Sequence, residues 1–306
     1  MTDQTTTSPA PRQYAAFSPS RVWTLAMHTA TQLLRMRILA FLAVFCLVVL
    51  GAAFVFPKLS PEQQLKQLKD WSLSGAMHVS SIVFAITATA LLLPRDLEDR
   101  TLYTILSKPV PRYEYLLGKL LGVIMLIGAG LLMMDLIFSL VLWLKQETLT
   151  SAMIAALQQQ QAATPENIAF VETSIRKYGL TWSVHAEVWM AFLRASVVTA
   201  MTLLISTFAS TTLFTIITSA AFTVAGFGVA LMREWVLKDL YGWTEKAVGG
   251  LLAIVCPDLG MFDLSTAAAQ GAAIPLPVVA ELTGYAVIYV AAYLLISHLF
   301  FVEKEL

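Results

Sequence analysis

Two charged residues stand inside otherwise apolar stretches of the chain, Asp135 and Arg194. A charge left unpaired near the centre of a bilayer costs about 2.5–3.5 kcal/mol, so each needs a partner. Counted from the ends of their apolar runs, the two lie at depths differing by roughly 5 Å at 1.5 Å per residue. The expectation is an ion pair between adjacent helices, either purely structural or a polar element of a translocation path. Other chemistry-bearing residues are sparse. His28, His78, His185 and His298 are scattered, with no Cys, His or acidic neighbour at metal-ligand spacing. No metal site and no nucleophile–base pair is therefore expected, and an intramembrane enzyme finds no support. Cys46 and Cys256 lie far apart in the chain, which argues against a disulfide framework.

The densest charge lies in PRDLEDRTLYTILSKPVPRYEYLLGK, Pro94 to Lys119, where nine charged residues separate two apolar runs. Asp96, Glu98 and Asp99 precede an apolar trio, Leu102, Ile105 and Leu106. Acidic residues in a first turn suit the positive end of a helix dipole, and Arg95 pairs with Asp99 at i,i+4. Pro109 and Pro111 forbid continuation, so a short amphipathic helix ends near Ser107 and a second restarts around Arg112. The plainer alternative is a solvated connector whose basic residues serve only topology.

The elements that must position these residues are membrane spans. The chain is 58% hydrophobic and 13% charged, with zero net charge. That composition marks an all-α integral membrane protein and implies no nucleic-acid partner. A bilayer core needs about 20 apolar residues per helix. Six segments qualify, at about 36–56, 75–93, 120–144, 188–208, 211–232 and 278–302, with the charged loop at 94–119 and outer loops at 57–74, 145–187 and 233–277. Residues 1–19 read as a disordered cytoplasmic tail with no signal-peptide core, and 20–306 as one six-span membrane domain. All seven tryptophans fall at or beyond the ends of these segments, as in an aromatic belt. Arg35 and Arg37, directly before the first span, and the basic residues of 94–119 place both termini in the cytoplasm.

SRVWTLAMHTATQLLRMR, before the first span, has Val22, Leu25, Ala26, Leu33 and Met36 at helical spacing. It reads as an in-plane interfacial helix or as an extension of span one. In the last outer loop, AVGGLLAIVC is too short to cross and reads as re-entrant or interfacial.

The loop from Glu98 to Lys119 resembles the signature loop of type-2 ABC exporter permeases. The matching positions are Glu98, Thr101, Leu102, Leu106, Ser107, Pro109, Arg112, Leu116, Leu117, Gly118 and Lys119. Many relatives carry glycine before the threonine, where this chain has Arg100. QLLRMRIL, LISTFAST and CPDLGMF resemble further segments of the permeases grouped with copper-enzyme maturation. The resemblance implies a coupling helix that docks into a groove of a separate ATPase subunit. Leu102, Ile105 and Leu106 would supply buried contact, and Asp96, Glu98, Asp99 and Arg100 would orient it through charge. It further implies a second permease copy, as homodimer or paralogue heterodimer, in a bacterial inner membrane. ATP and magnesium would be bound by the partner, because this chain has no Gly-x4-Gly-Lys-Ser/Thr; Gly118 and Lys119 are followed by Leu120. A self-contained secondary transporter would favour several intramembrane acids and repeated halves, and a non-transporting anchor for an ATPase is the remaining alternative.

Overall fold

A computed structural model describes residues 17–34, 59–98, 111–209, 211–237 and 255–303, with Val44, Val48, Gly51, Gly242, Trp243, Thr244, Ala247 and Gly250. Every regular element among them is helical. In chain order these are α1 (Pro19–Leu34), α2 (Pro61–Asp70), a π-helical segment (Trp71–His78), α3 (Val79–Glu98), α4 (Arg112–Gln159), α5 (Pro165–Tyr178), α6 (Trp182–Phe208), α7 (Thr212–Phe227), α8 (Val229–Leu237), a 3-10 turn (Leu259–Phe262), α9 (Ser265–Ala269) and α10 (Leu276–Glu303). Among the described residues, four helical runs are long and apolar enough to cross a membrane: Pro61–Leu92, Arg112–Gln159, Pro165–Phe208 and Leu276–Val302. This is a multi-pass, all-α membrane protein. Of the six expected spans, the first lies outside the described residues apart from Val44, Val48 and Gly51. The fifth is a shorter apolar helix, Thr212–Phe227, broken at Gly228 before α8.

Helix ends follow local chemistry. Ser60 and Gln63 form a capping box at α2, with Pro61 in the first turn. Thr164 caps α5, again followed by proline. At the end of α4, Gln161 adopts φ 56° and the Ala162 N–H reaches back to the Leu157 carbonyl at 2.9 Å, a left-handed closure.

α6 is the central helix. Its most apolar window is 83% buried, against 22% for α10, and α10, α3, α4 and α7 pack around it. Small side chains make that enclosure possible: Ala195, Ser196, Thr199, Ala200, Thr202 and Ser206 are all buried. Three of these hydroxyls are satisfied within the helix: Ser196 donates to the Phe192 carbonyl, Thr199 to that of Ala195 and Ser206 to that of Leu203. Trp23, Trp71, Trp143, Trp182, Trp189 and Trp243 remain at least 43% exposed, the outward distribution an aromatic belt requires.

Three sequence expectations need correction. Asp96 and Glu98 lie in the last turn of α3, which runs through Pro94, rather than opening a separate short helix. Proline is tolerated inside membrane helices where neighbouring groups satisfy the freed carbonyl. α4 continues fifteen residues past the expected span end at Leu144, making a rod of 48 residues, about 72 Å long. Finally, of the two readings of α1 the in-plane helix does not hold, because α1 packs alongside the start of α4. Arg21 meets Glu114, Val22 and Leu25 lie beside Gly118, and Ala26 and Thr29 lie beside Gly122, so the two helices run parallel and in register. Asp99, Arg100, Thr101, Leu102, Ile105, Leu106, Ser107 and Pro109 lie outside the described residues.

Candidate functional site

Two groups of polar side chains stand out. The first sits where the charged loop returns to the helices. Pro111 caps α4, so Arg112 and Glu114 occupy its first turn. Arg112 Nη1 donates to the carbonyls of Phe301 and Val302, both at 2.8 Å, and so caps the C-terminal turn of α10. A cation at a helix C-terminus also meets the negative end of its dipole. Glu114 is fully buried and accepts from Arg21 Nε at 2.8 Å, Arg21 Nη2 at 2.9 Å and the Ser18 amide at 2.9 Å. Tyr115 stacks on Phe301 one residue later.

The glycines bring α1 close. A Cβ on Gly118 would stand 2.5 Å from Leu25 Cβ, and one on Gly122 would stand 2.6 Å from the Ala26 carbonyl oxygen. Lys119 is buried, with its ammonium 5.7 Å from the Tyr115 ring centre. Arg112, Gly118 and Lys119, expected as loop signature residues, are thus the joint between α1, α4 and α10.

The second group lies beside α6, with His78, Glu187 and Arg194 buried and the Asp263 side chain 42% exposed. The π segment uses more residues per turn than an α-helix, and it sets Ser72, Leu73, Met77 and His78 inward while Trp71, Gly75 and Val79 face out. His78 Nε2 and Glu187 Oε1 share a hydrogen bond at 2.5 Å. Glu187 Oε2 accepts from the Leu264 amide at 3.0 Å. Asp263 Oδ1 accepts from the Ser265 hydroxyl at 2.6 Å and the Ser265 amide at 3.2 Å, while its Oδ2 lies 3.8 Å from Arg194 Nη2. Burial pushes the Asp263 carboxyl up, but the Ser265 hydroxyl and the Arg194 charge outweigh it and hold Asp263 below the usual carboxylate range. Arg194 itself is 2% exposed and lies over the Phe227 ring at 5.2 Å.

The pair expected between Asp135 and Arg194 does not form. Asp135 Oδ2 meets His185 Nδ1 at 2.8 Å, and Arg194 turns to Asp263. His185 sits in the first turn of α6 and Arg194 nine residues further on, about 13 Å deeper. The expectation placed the two charges within roughly 5 Å of the same depth by counting from the ends of apolar runs, whereas Asp135 meets α6 at His185, before the expected start of span four at residue 188.

Sequence spacing shows no metal-ligand set, yet the fold assembles a candidate one. His78, Glu187 and Asp263 each offer a ligand atom, all within 4.8 Å of one another. They come from the π segment, α6 and the loop before α9, so no local motif announces them. The one signal available to sequence reasoning was the buried charge at Arg194, whose partner was sought on the wrong element. No protein-family model matches the chain, and no curated protein matches it.

Proposed function

We propose that this chain is the membrane-spanning permease subunit of an ATP-driven exporter, working with an ATPase supplied in trans. In this reading it has six spans, pairs with a second permease copy and sits in a bacterial inner membrane with both termini in the cytoplasm. The charged loop is the docking element, and its resemblance to the type-2 permease loop is the starting point. The observation that carries the reading furthest is the joint behind that loop. Arg112 and Glu114, just past its double proline, fasten α4 to α10 and α1. A push on the loop would therefore move three helices together, which is what coupling to a motor requires.

Co-purification under mild extraction tests it. Wild type should retain an ATP-hydrolysing subunit, and a Glu98→Lys, Leu102→Asp, Leu106→Asp triple variant should lose it while inserting normally. Absence of any ATPase from the wild-type preparation would overturn the proposal. It would favour a self-contained secondary transporter, for which buried His78, Glu187 and Arg194, with Asp263 beside them, are the supporting observation.

A further inference from the structure

His78 and Glu187 are almost wholly buried, and Asp263 reaches the same point from the loop before α9. Beside them is Arg194, 98% buried, with Nη2 aimed at Asp263 yet, like Nε, without a hydrogen-bond partner among the described residues. Orphaned guanidinium donors buried at this depth point to a missing acceptor. With both acids ionised and His78 neutral, two carboxylates and one guanidinium carry −1, a charge that a proton shared by His78 and Glu187 or a bound cation would offset.

We propose that His78 Nε2, Glu187 and Asp263 form a binding site for a divalent first-row transition-metal ion of the zinc class, with Arg194 holding an anionic fourth ligand on that ion. Three protein ligands with one open position is the arrangement of an exchangeable zinc site. Imidazole with carboxylates suits zinc, cobalt or manganese, whereas calcium and magnesium want all-oxygen shells of six or more. Ligand atoms around a tetrahedral ion at about 2.1 Å stand roughly 3.4 Å apart. The 2.5 Å contact between His78 and Glu187 must therefore open by about 1 Å and the widest edge close by up to about 1.4 Å. Both are side-chain movements. Glu187 is already oriented by the Leu264 amide and Asp263 by Ser265, the outer support that fixes metal-binding carboxylates. Ligation through Nε2 puts the His78 proton on Nδ1. A divalent ion brings the group to +1, and an anion such as hydroxide or a substrate carboxylate returns it to zero while accepting from Arg194. The geometry thus describes a metal site built to take an anion, and it does not depend on the permease reading.

The test uses full-length protein in detergent, stripped with a chelator and titrated with Zn2+ by calorimetry and with Co2+ by visible absorption. One ion per chain should bind, with the d–d bands of a low-coordinate N/O site. His78→Asn, Glu187→Gln and Asp263→Asn should each weaken binding at least tenfold, with helical circular dichroism and elution volume checking the fold. X-ray absorption on Zn2+-loaded wild type, which needs no variant, should show one imidazole among oxygen donors. Azide should shift the Co2+ spectrum of wild type and not that of Arg194→Gln. Failure of wild type to bind either ion stoichiometrically, binding undiminished in the His78 and Glu187 variants, or a shell of two or more imidazoles would each overturn the proposal. Loss of ATPase co-purification would leave these readouts unchanged.

Discussion

Arg21 grips Glu114 with two parallel hydrogen bonds, Nε to Oε2 at 2.8 Å and Nη2 to Oε1 at 2.9 Å. A planar fork on a carboxylate fixes direction as well as distance. The bond therefore sets the register in which α1 descends beside α4, and the Ser18 amide on Oε1 closes the same contact from the start of α1.

That geometry makes the two partners unequal. Glu114 is fully buried, whereas the Arg21 side chain is one-third exposed. Arg21→Gln strands a buried carboxylate with one amide donor, while Glu114→Gln leaves an arginine that water can still reach. We expect Arg21→Gln to lower the thermal midpoint more than the Arg21→Gln, Glu114→Gln double variant does. Differential scanning fluorimetry on the three proteins measures this, and strict additivity of the single effects would refute it.

The glycine contact makes a steric prediction. Gly122 faces the Ala26 carbonyl, a backbone atom that no rotamer change can move away. Gly122→Val should cost about 1–3 kcal/mol by overpacking and loosen α1 from α4. Gly130, with nothing within 4 Å of its added Cβ, is the control. Gly130→Ala should be neutral or stabilising by up to about 1 kcal/mol. Alkylation of a cysteine placed at Ala26, fully buried beside Gly122, reports whether α1 has come away.

The start of α4 was legible in the sequence, because proline acts locally; the close approach of α1 at Gly118 and Gly122 was not. Pro111 cannot sit inside a helix that needs its N–H, and a helix accordingly begins at Arg112. Continuation of α3 through Pro94 was not legible, because the proline rule assumes water where tertiary contacts decide. The buried polar group was hidden for a different reason. His78 and Glu187 are 109 residues apart, and their meeting depends on the π segment turning His78 inward. Arg194 announced that an acid must be near without saying which. Asp135 was the nearest acid by counted depth, and the count failed because Asp135 meets α6 at His185, before the expected start of span four.

The re-pairing itself can be measured. Asp135 and His185 are in contact, so their substitutions should couple by about 0.5–3 kcal/mol in a double-mutant cycle. Asp135 and Arg194 share no contact, so Asp135→Asn and Arg194→Gln should add within about 0.5 kcal/mol. Exchanging the charges, as Asp135→Arg with Arg194→Asp, should not restore what either single change loses. Rescue by that exchange would restore the pair that residue counting suggests.

Glu187→Gln yields a prediction whose sign depends on what the buried group holds. The amide keeps an acceptor for the Leu264 N–H and removes one negative charge, leaving Arg194 balanced against Asp263. In chelator-stripped protein that relieves the −1 imbalance, so the variant should unfold at the same temperature as wild type or higher. Zinc reverses the order. An ion that binds only the folded state at one hundred times its dissociation constant adds about 2.7 kcal/mol, and wild type gains this while the variant, having lost a ligand, gains less. The two melting curves should therefore change places on adding Zn2+, at fixed detergent and pH. A variant less stable than wild type in the stripped state would mean that Glu187 is held there by a proton shared with His78, since one proton also brings the group to neutrality. A variant that gains as much from zinc as wild type would remove Glu187 from the ion's ligands.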